Sequence, residues 1–235
     1  MLIVFMFFII LVSFSLQGYI SGNDGIMLVS TASLAKLLER GDMTSNDILK
    51  FLWQEEGNIY SVIPPDSFIQ VKWTDLPNTP YAVLSYQWLS KWGSIGKFIL
   101  LSEDRVLQKY MWIDVLCLDQ TDPGKMTTIK RSDEIYLHAK EYHLMEIGSL
   151  YRGWVLFELS SVAEARLPPI VHLSTQQDPA AIRIIKRFLS STGFDGCEFT
   201  EESDREVVQR KIIDRYGSVA IFNKEIVAIV NKIFV

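Results

Sequence analysis

The sequence predicts an α/β domain built on a doubly wound, parallel β-sheet with helices on both faces. Three observations predict it. Continuous apolar runs of strand length recur, over 81–86 and 111–116, in the pattern of strands buried on both faces. Stretches of helical length separate them, and this alternation implies right-handed crossovers within one sheet. Polar residues gather at the downstream ends of the runs, where open α/β sheets bind ligands.

The elements follow in order. Residues 2–16 carry no charge. At about 1.5 Å per residue they fall short of a roughly 30 Å hydrocarbon core, and extension to Ile20, with Tyr19 at the interface, brings them to length. An uncleaved membrane anchor, a secretory signal and a true start at Met27 are the three readings. The missing basic n-region and weak cleavage site favour the anchor over the signal. An anchored chain with a cytoplasmic domain is the expectation, and secretion is the alternative. Asp24 is the only side-chain charge before Lys36, so the positive-inside rule does not set orientation.

Residues 21–80 read as a linker and helical extension. Ser21 to Gly25 form the linker. Leu34, Leu37 and Leu38 give a helix over 30–40 its stripe, stopped by Gly41. Thr44 or Ser45 caps a second helix through Leu52, with Asp47 in its first turn, completing a helical hairpin. Prolines 64, 65, 77 and 80 bracket a strand over 68–73.

The main domain spans 81–200. Strands are predicted over 81–86, 111–116, 142–147 and 170–173, with helices over 95–110, 127–140, 150–165 and 179–189. Residues 201–235 form two helices packed on the domain, over 204–216 and 219–234. The stripe Ile226, Ile229, Val230, Ile233 and Phe234 is read as core rather than membrane contact.

Composition narrows the function. With 235 residues, 49% hydrophobic and 22% charged, the chain can bury a globular core. A net charge of −5 argues against nucleic acid as a partner, and the basic clusters at 130–131 and 183–187 read as solvated faces. Two cysteines, Cys117 and Cys197, exclude a disulfide framework and read as buried thiols, with one long-range disulfide left open if the chain is exported. The histidines His138, His143 and His172 lack ligand spacing, so no metal site is predicted. Nucleophile elbows, phosphate-binding loops and dinucleotide fingerprints are absent, and 93–97 only hints at a phosphate loop.

What remains are Ser85 and Gln87 after the first run, then Asp114, Asp119 and Gln120. A carboxylate inside a stretch as apolar as 112–118 needs a partner, because burying it alone is expensive. Asp114 therefore either serves a site or caps a loop or pairs with an arginine. Trp154 and Glu158, four apart, share one face of a helix among aromatics. Glu158 is either a site residue or a solvated surface acid.

These residues carry a resemblance. Tyr81-Ala82-Val83-Leu84-Ser85-Tyr86-Gln87-Trp88, followed by Trp112-Ile113-Asp114-Val115-Leu116-Cys117-Leu118-Asp119-Gln120, resembles the two leading motifs of the fungal heterokaryon-incompatibility (HET) domain, with Ile135-Tyr136 as the pair in the next helix. Arg152 to Leu159 is similar to the helix of TIR domains that holds their catalytic glutamate. The match covers roughly 81–162. It departs from the family patterns at Leu89, where HET domains have glycine, at Val155, where TIR domains have cysteine, and in lacking a Glu after Gln120.

The resemblance implies a TIR-like, flavodoxin-like fold and a part in cell-death, defence or incompatibility signalling. It implies cleavage of NAD at the nicotinamide–ribose bond, with Glu158 catalytic, NAD as substrate rather than resident cofactor, and self-association through the domain. Ser85 and Asp114 would line the strand-end crevice, and Trp88, Trp112 or Trp154 would stack on the nicotinamide or adenine. The alternative is a membrane-anchored, non-catalytic module for protein–protein contact, since a fold does not dictate its function.

Overall fold

The computed structural model describes residues 24–34, 44, 63–87, 108–118, 125–167, 170–171 and 178–234. The expected anchor at 1–20, the second helix of the N-terminal hairpin beyond Thr44, residues 95–107 of the helix expected over 95–110, and the candidates Trp88, Asp119 and Gln120 lie outside them, and Tyr110, the expected end of that helix, belongs to a strand instead.

The architecture is α/β, a mixed sheet flanked by helices. The chain enters through strand β1 (Gly25–Ser30), turns into the short helix α1 (Thr31–Leu34), and later returns as β2 (Phe68–Lys72) and β3 (Ala82–Ser85). Strand β4 (Tyr110–Trp112) leads into one helical turn, α2 (Asp114–Cys117). Helices α3 (Lys125–Lys130) and α4 (Ser132–His138) precede β5 (Glu141–Leu144), and α5 (Gly153–Glu164) precedes the short β6 (Ile170–Val171). Helices α6 (Pro179–Ser191), α7 (Glu202–Tyr216) and α8 (Val219–Ile233) complete it.

The six strands lie in the order β2-β1-β4-β3-β5-β6. Strands β4, β3, β5 and β6 run parallel, whereas β1 is antiparallel to both of its neighbours. This corrects two expectations. The sheet is mixed rather than parallel throughout, and β1 is an interior strand rather than part of a linker ahead of the domain. The stretch Ile26 to Val29 is too short for its periodicity to declare a strand, and pairing on both edges decides it.

The other departures are local. The run over 111–116 leaves the sheet after Trp112, because the Asp114 carboxylate accepts from its neighbour Val115 N at 2.7 Å and a helical turn closes with Cys117 N on Ile113 O at 2.8 Å. The helix expected over 127–140 is two helices meeting at Arg131, whose guanidinium pairs with Glu134 and lies 4.0 Å from the Trp73 ring centroid.

Register sets the core. Val83 pairs with both Trp112 and Tyr142, and Ser85 with Leu144, so these side chains share one sheet face. Tyr136 of α4 packs edge-on against Trp112 and Tyr142, with centroids 5.6 and 6.2 Å apart. On α8 the stripe runs inward through Phe222, Ile226, Val230 and Phe234, all buried, with Ile229 and Ile233 packed against the same core. Each such side chain contributes roughly 1.5–3 kcal/mol by leaving water. Both cysteines are free and buried. Among the described residues no helix is long and apolar enough to cross a membrane.

Candidate active site

The parallel strands β3 and β4 deliver polar side chains to one region at their downstream ends, beside β5. Ser85 is the last residue of β3 and is 2% exposed. Its hydroxyl donates to Glu158 Oε2 on α5. A hydrogen bond to a charged acceptor contributes about 1.5–3 kcal/mol, so this contact ties helix to sheet. The next residue, Tyr86, donates its phenol to Asp114 Oδ1 at 2.9 Å. Asp114 thus lies just beyond β4, rather than within it.

Two further tyrosines close the cluster from below and from the helix layer. Tyr142 of β5 is buried on the same sheet face as Ser85, and Tyr136 of α4 packs edge-on against its ring. Burial, and then the negative charge of Glu158, push the pKa of both phenols up, so both stay protonated.

Glu158 keeps part of its surface in solvent, yet its pKa is pushed up to about 7. Burial is the main cause, and the Asp114 charge adds to it. Hydrogen bonds from Ser85 and Tyr136 and the positive charge of Arg152 pull the other way. The result is a carboxyl that changes protonation near neutrality, the property that general acid–base and charge-stabilising groups need.

The structure thus brings Ser85, Asp114 and Glu158 together. Trp154 is placed differently: its indole N–H donates to Asp204 Oδ2 of α7 at 3.0 Å. Among the described residues no hydrogen bond or ring contact joins it to the other three. Sequence reasoning passed over Tyr86, Tyr136 and Tyr142 as site residues. Tyr86 could have been found from its position at a strand end, but Tyr136 and Tyr142 become visible only once sheet register and helix packing are known.

On the other face of β5, His143 is fully buried and its Nε2 lies 3.1 Å from Glu141 Oε2, while Gln108 Nε2 donates to Glu141 Oε1 at 3.0 Å. Burial pushes the imidazole down to about 4, so it is neutral at pH 7. Among the described residues no three His, Cys, Asp or Glu side chains are grouped to hold a metal ion.

No family model, curated protein or solved structure matches this chain.

Proposed function

We propose that the chain is a TIR-like domain of the heterokaryon-incompatibility kind that cleaves the nicotinamide–ribose bond of NAD, with Glu158 as the working carboxylate. One observation carries the reading: a carboxylate with a pKa near neutrality stands at the downstream ends of parallel strands, held by Ser85. The motif resemblance points to the same residue from a separate direction.

In the reaction the C–N bond between ribose and nicotinamide breaks, and its electron pair leaves with the ring as neutral nicotinamide. The ribose becomes oxocarbenium-like. An ionised Glu158 beside it stabilises that charge in a partly desolvated setting, where electrostatic effects are larger than in water. Water then adds to the ribose carbon, and its proton passes to the carboxylate and on to solvent. Ser85 orients the carboxylate, and Asp114, held by Tyr86, adds negative potential favourable to a cationic nicotinamide ring. Self-association and a membrane attachment through 1–20 belong to this reading, which places the domain in cell-death or defence signalling.

A second reading has its own support. The Glu158 carboxylate is met from within the fold by Ser85, as a structural link between layers would be. A non-catalytic contact module would have the same feature. Nicotinamide release from NAD, followed with the concentrated full-length chain beside Glu158→Gln, separates the two. Release that the variant loses while its circular dichroism stays native supports cleavage. No release by the native chain, with self-association verified, leaves Glu158 as a structural link.

A further inference from the structure

Helix α6 has two faces. Ile185 and Leu189 are buried in the core, while the outward face carries Ala180, Arg183, Ile184, Arg187, Ser190 and Ser191, all exposed. Arg183 and Arg187 stand one turn apart on that face, with Ile184 between them. No Asp or Glu occurs from Pro179 to Ser191. Arg131, Arg205 and Arg215 each meet a carboxylate, but among the described residues Arg183 and Arg187 make neither an ion pair nor a hydrogen bond.

Ile184 is 60% exposed, against 49% for Ile221 and 45% for Ile213. Ile213 stands next to the exposed Asp214, and Ile221 one turn before the exposed Glu225, so a carboxylate shares those surfaces. Ile184 has guanidinium groups beside it instead. Helix α8 runs antiparallel along α6: Lys186 Nζ donates to Phe234 O at 2.6 Å, and Phe194 N donates to Asn223 Oδ1 at 2.9 Å. This brings the exposed Lys232 toward the Arg183 end. The acids nearest along the chain are Asp178, which caps α6 by accepting from Ala180 N at 2.9 Å, and Asp195, beyond its other end.

We propose that the outward face of α6 rests on the anionic surface of a lipid bilayer, with Arg183 and Arg187 meeting lipid phosphates and Ile184 entering the boundary between headgroups and acyl chains. Such a surface answers both halves of the face. Each basic side chain near it favours contact by about fivefold, and the apolar one leaves water. An acidic protein segment would pair the arginines but offer Ile184 no apolar contact. The segment over 1–20, expected as an anchor, would keep the domain beside a bilayer, where a weak second contact fixes which face meets it. The proposal does not involve Glu158 and stands whether or not NAD is cleaved.

Because Cys117 and Cys197 are buried, a cysteine placed on the surface takes an environment-sensitive fluorophore selectively. The full-length chain carries it at Ala180→Cys, on the face in question, or at Ser203→Cys, exposed on α7 beside Glu202. Each is reconstituted with vesicles of phosphatidylcholine, alone or with about 30% phosphatidylserine. The label at 180 is expected to shift to the blue, and to be quenched by nitroxide-bearing lipid, in the anionic vesicles only; the label at 203 does neither. Attachment through 1–20 is common to both compositions and does not imitate this result. Arg183→Gln combined with Arg187→Gln is expected to reduce the quenching by about fivefold or more, and salt at about 0.5 M to do the same. No response at 180, or an equal response in neutral vesicles, at 203 or in the double variant, overturns the proposal. Should the double variant not fold, Ile184→Ser takes its place, and quenching equal to the native level overturns the proposal. A response to soluble polyglutamate with none to vesicles assigns the face to an acidic protein and overturns it as well.

Discussion

Ser85, at the end of β3, donates its hydroxyl proton to Glu158, 73 residues later on α5, so a single hydrogen bond joins the sheet to the helix layer at the downstream edge of the parallel strands. Around that bond lie three tyrosines and a second carboxylate. The arrangement explains how an acid among aromatics is tolerated, and why its protonation falls where catalysis at neutral pH can use it.

Glu158→Gln is expected to lower nicotinamide release at least 100-fold, the scale for removing a charge-stabilising group. On the proposed reading the ionised carboxylate is the active form, so release is expected to rise with pH and level off above about 7. A flat profile from pH 6 to 8 in steady-state kinetics contradicts the assignment.

The same residue gives stability a pH dependence. Its pKa is about 7 folded against 4.5 as the ordinary value, so the folded state holds the proton more tightly. Stability from this group is full below about 4.5 and is lost as pH rises through 7. At pH 8 Glu158→Gln is expected to be more stable than the native chain by about 2 kcal/mol, and at pH 4 to be nearly equal to it. Urea denaturation at both pH values measures this, and a variant no more stable at pH 8 refutes it.

Asp133 ties α4 to α7. Burial acts to raise its pKa, but the bonds from Lys211 and Arg215 outweigh that and hold it below the usual range. Stability from the pair is present above the ordinary carboxylate range and is lost as pH falls through the lowered folded value. Asp133→Asn is expected to destabilise by about 2 kcal/mol at pH 7, leaving two half-buried cations poorly paired. Thermal unfolding should place its midpoint below the native one at pH 7 and close the gap under acid conditions. An unchanged midpoint at pH 7 removes the clamp from the account.

Cys117 and Cys197 are buried and desolvation pushes both thiols up to about 12. Neither is a thiolate at pH 8 in the folded chain. A thiol-specific colorimetric reagent is expected to react with none in native buffer and with two per chain in denaturant. Rapid reaction of either in the native state contradicts the packing of α2 or of the turn before α7.

Much of this molecule is legible residue by residue. The apolar runs at 82–85 and 110–112, the helices α6 to α8, and the breakers between them follow from local period and turn chemistry, which act over a few residues. Ser85, Asp114 and Glu158 stand out because each is a polar side chain in apolar company. Other features answer to distant partners. β1 became an interior antiparallel strand through pairing with β2 and β4, Asp114 left the sheet to meet Tyr86, and Trp154 turned to Asp204 of α7. The hold of Ser85 on Glu158 likewise depends on strand register and helix packing, which bring together residues far apart along the chain. Local pattern can state that a carboxylate lies on a mostly apolar helix, but only the packed layers decide which hydroxyls meet it and where its proton goes.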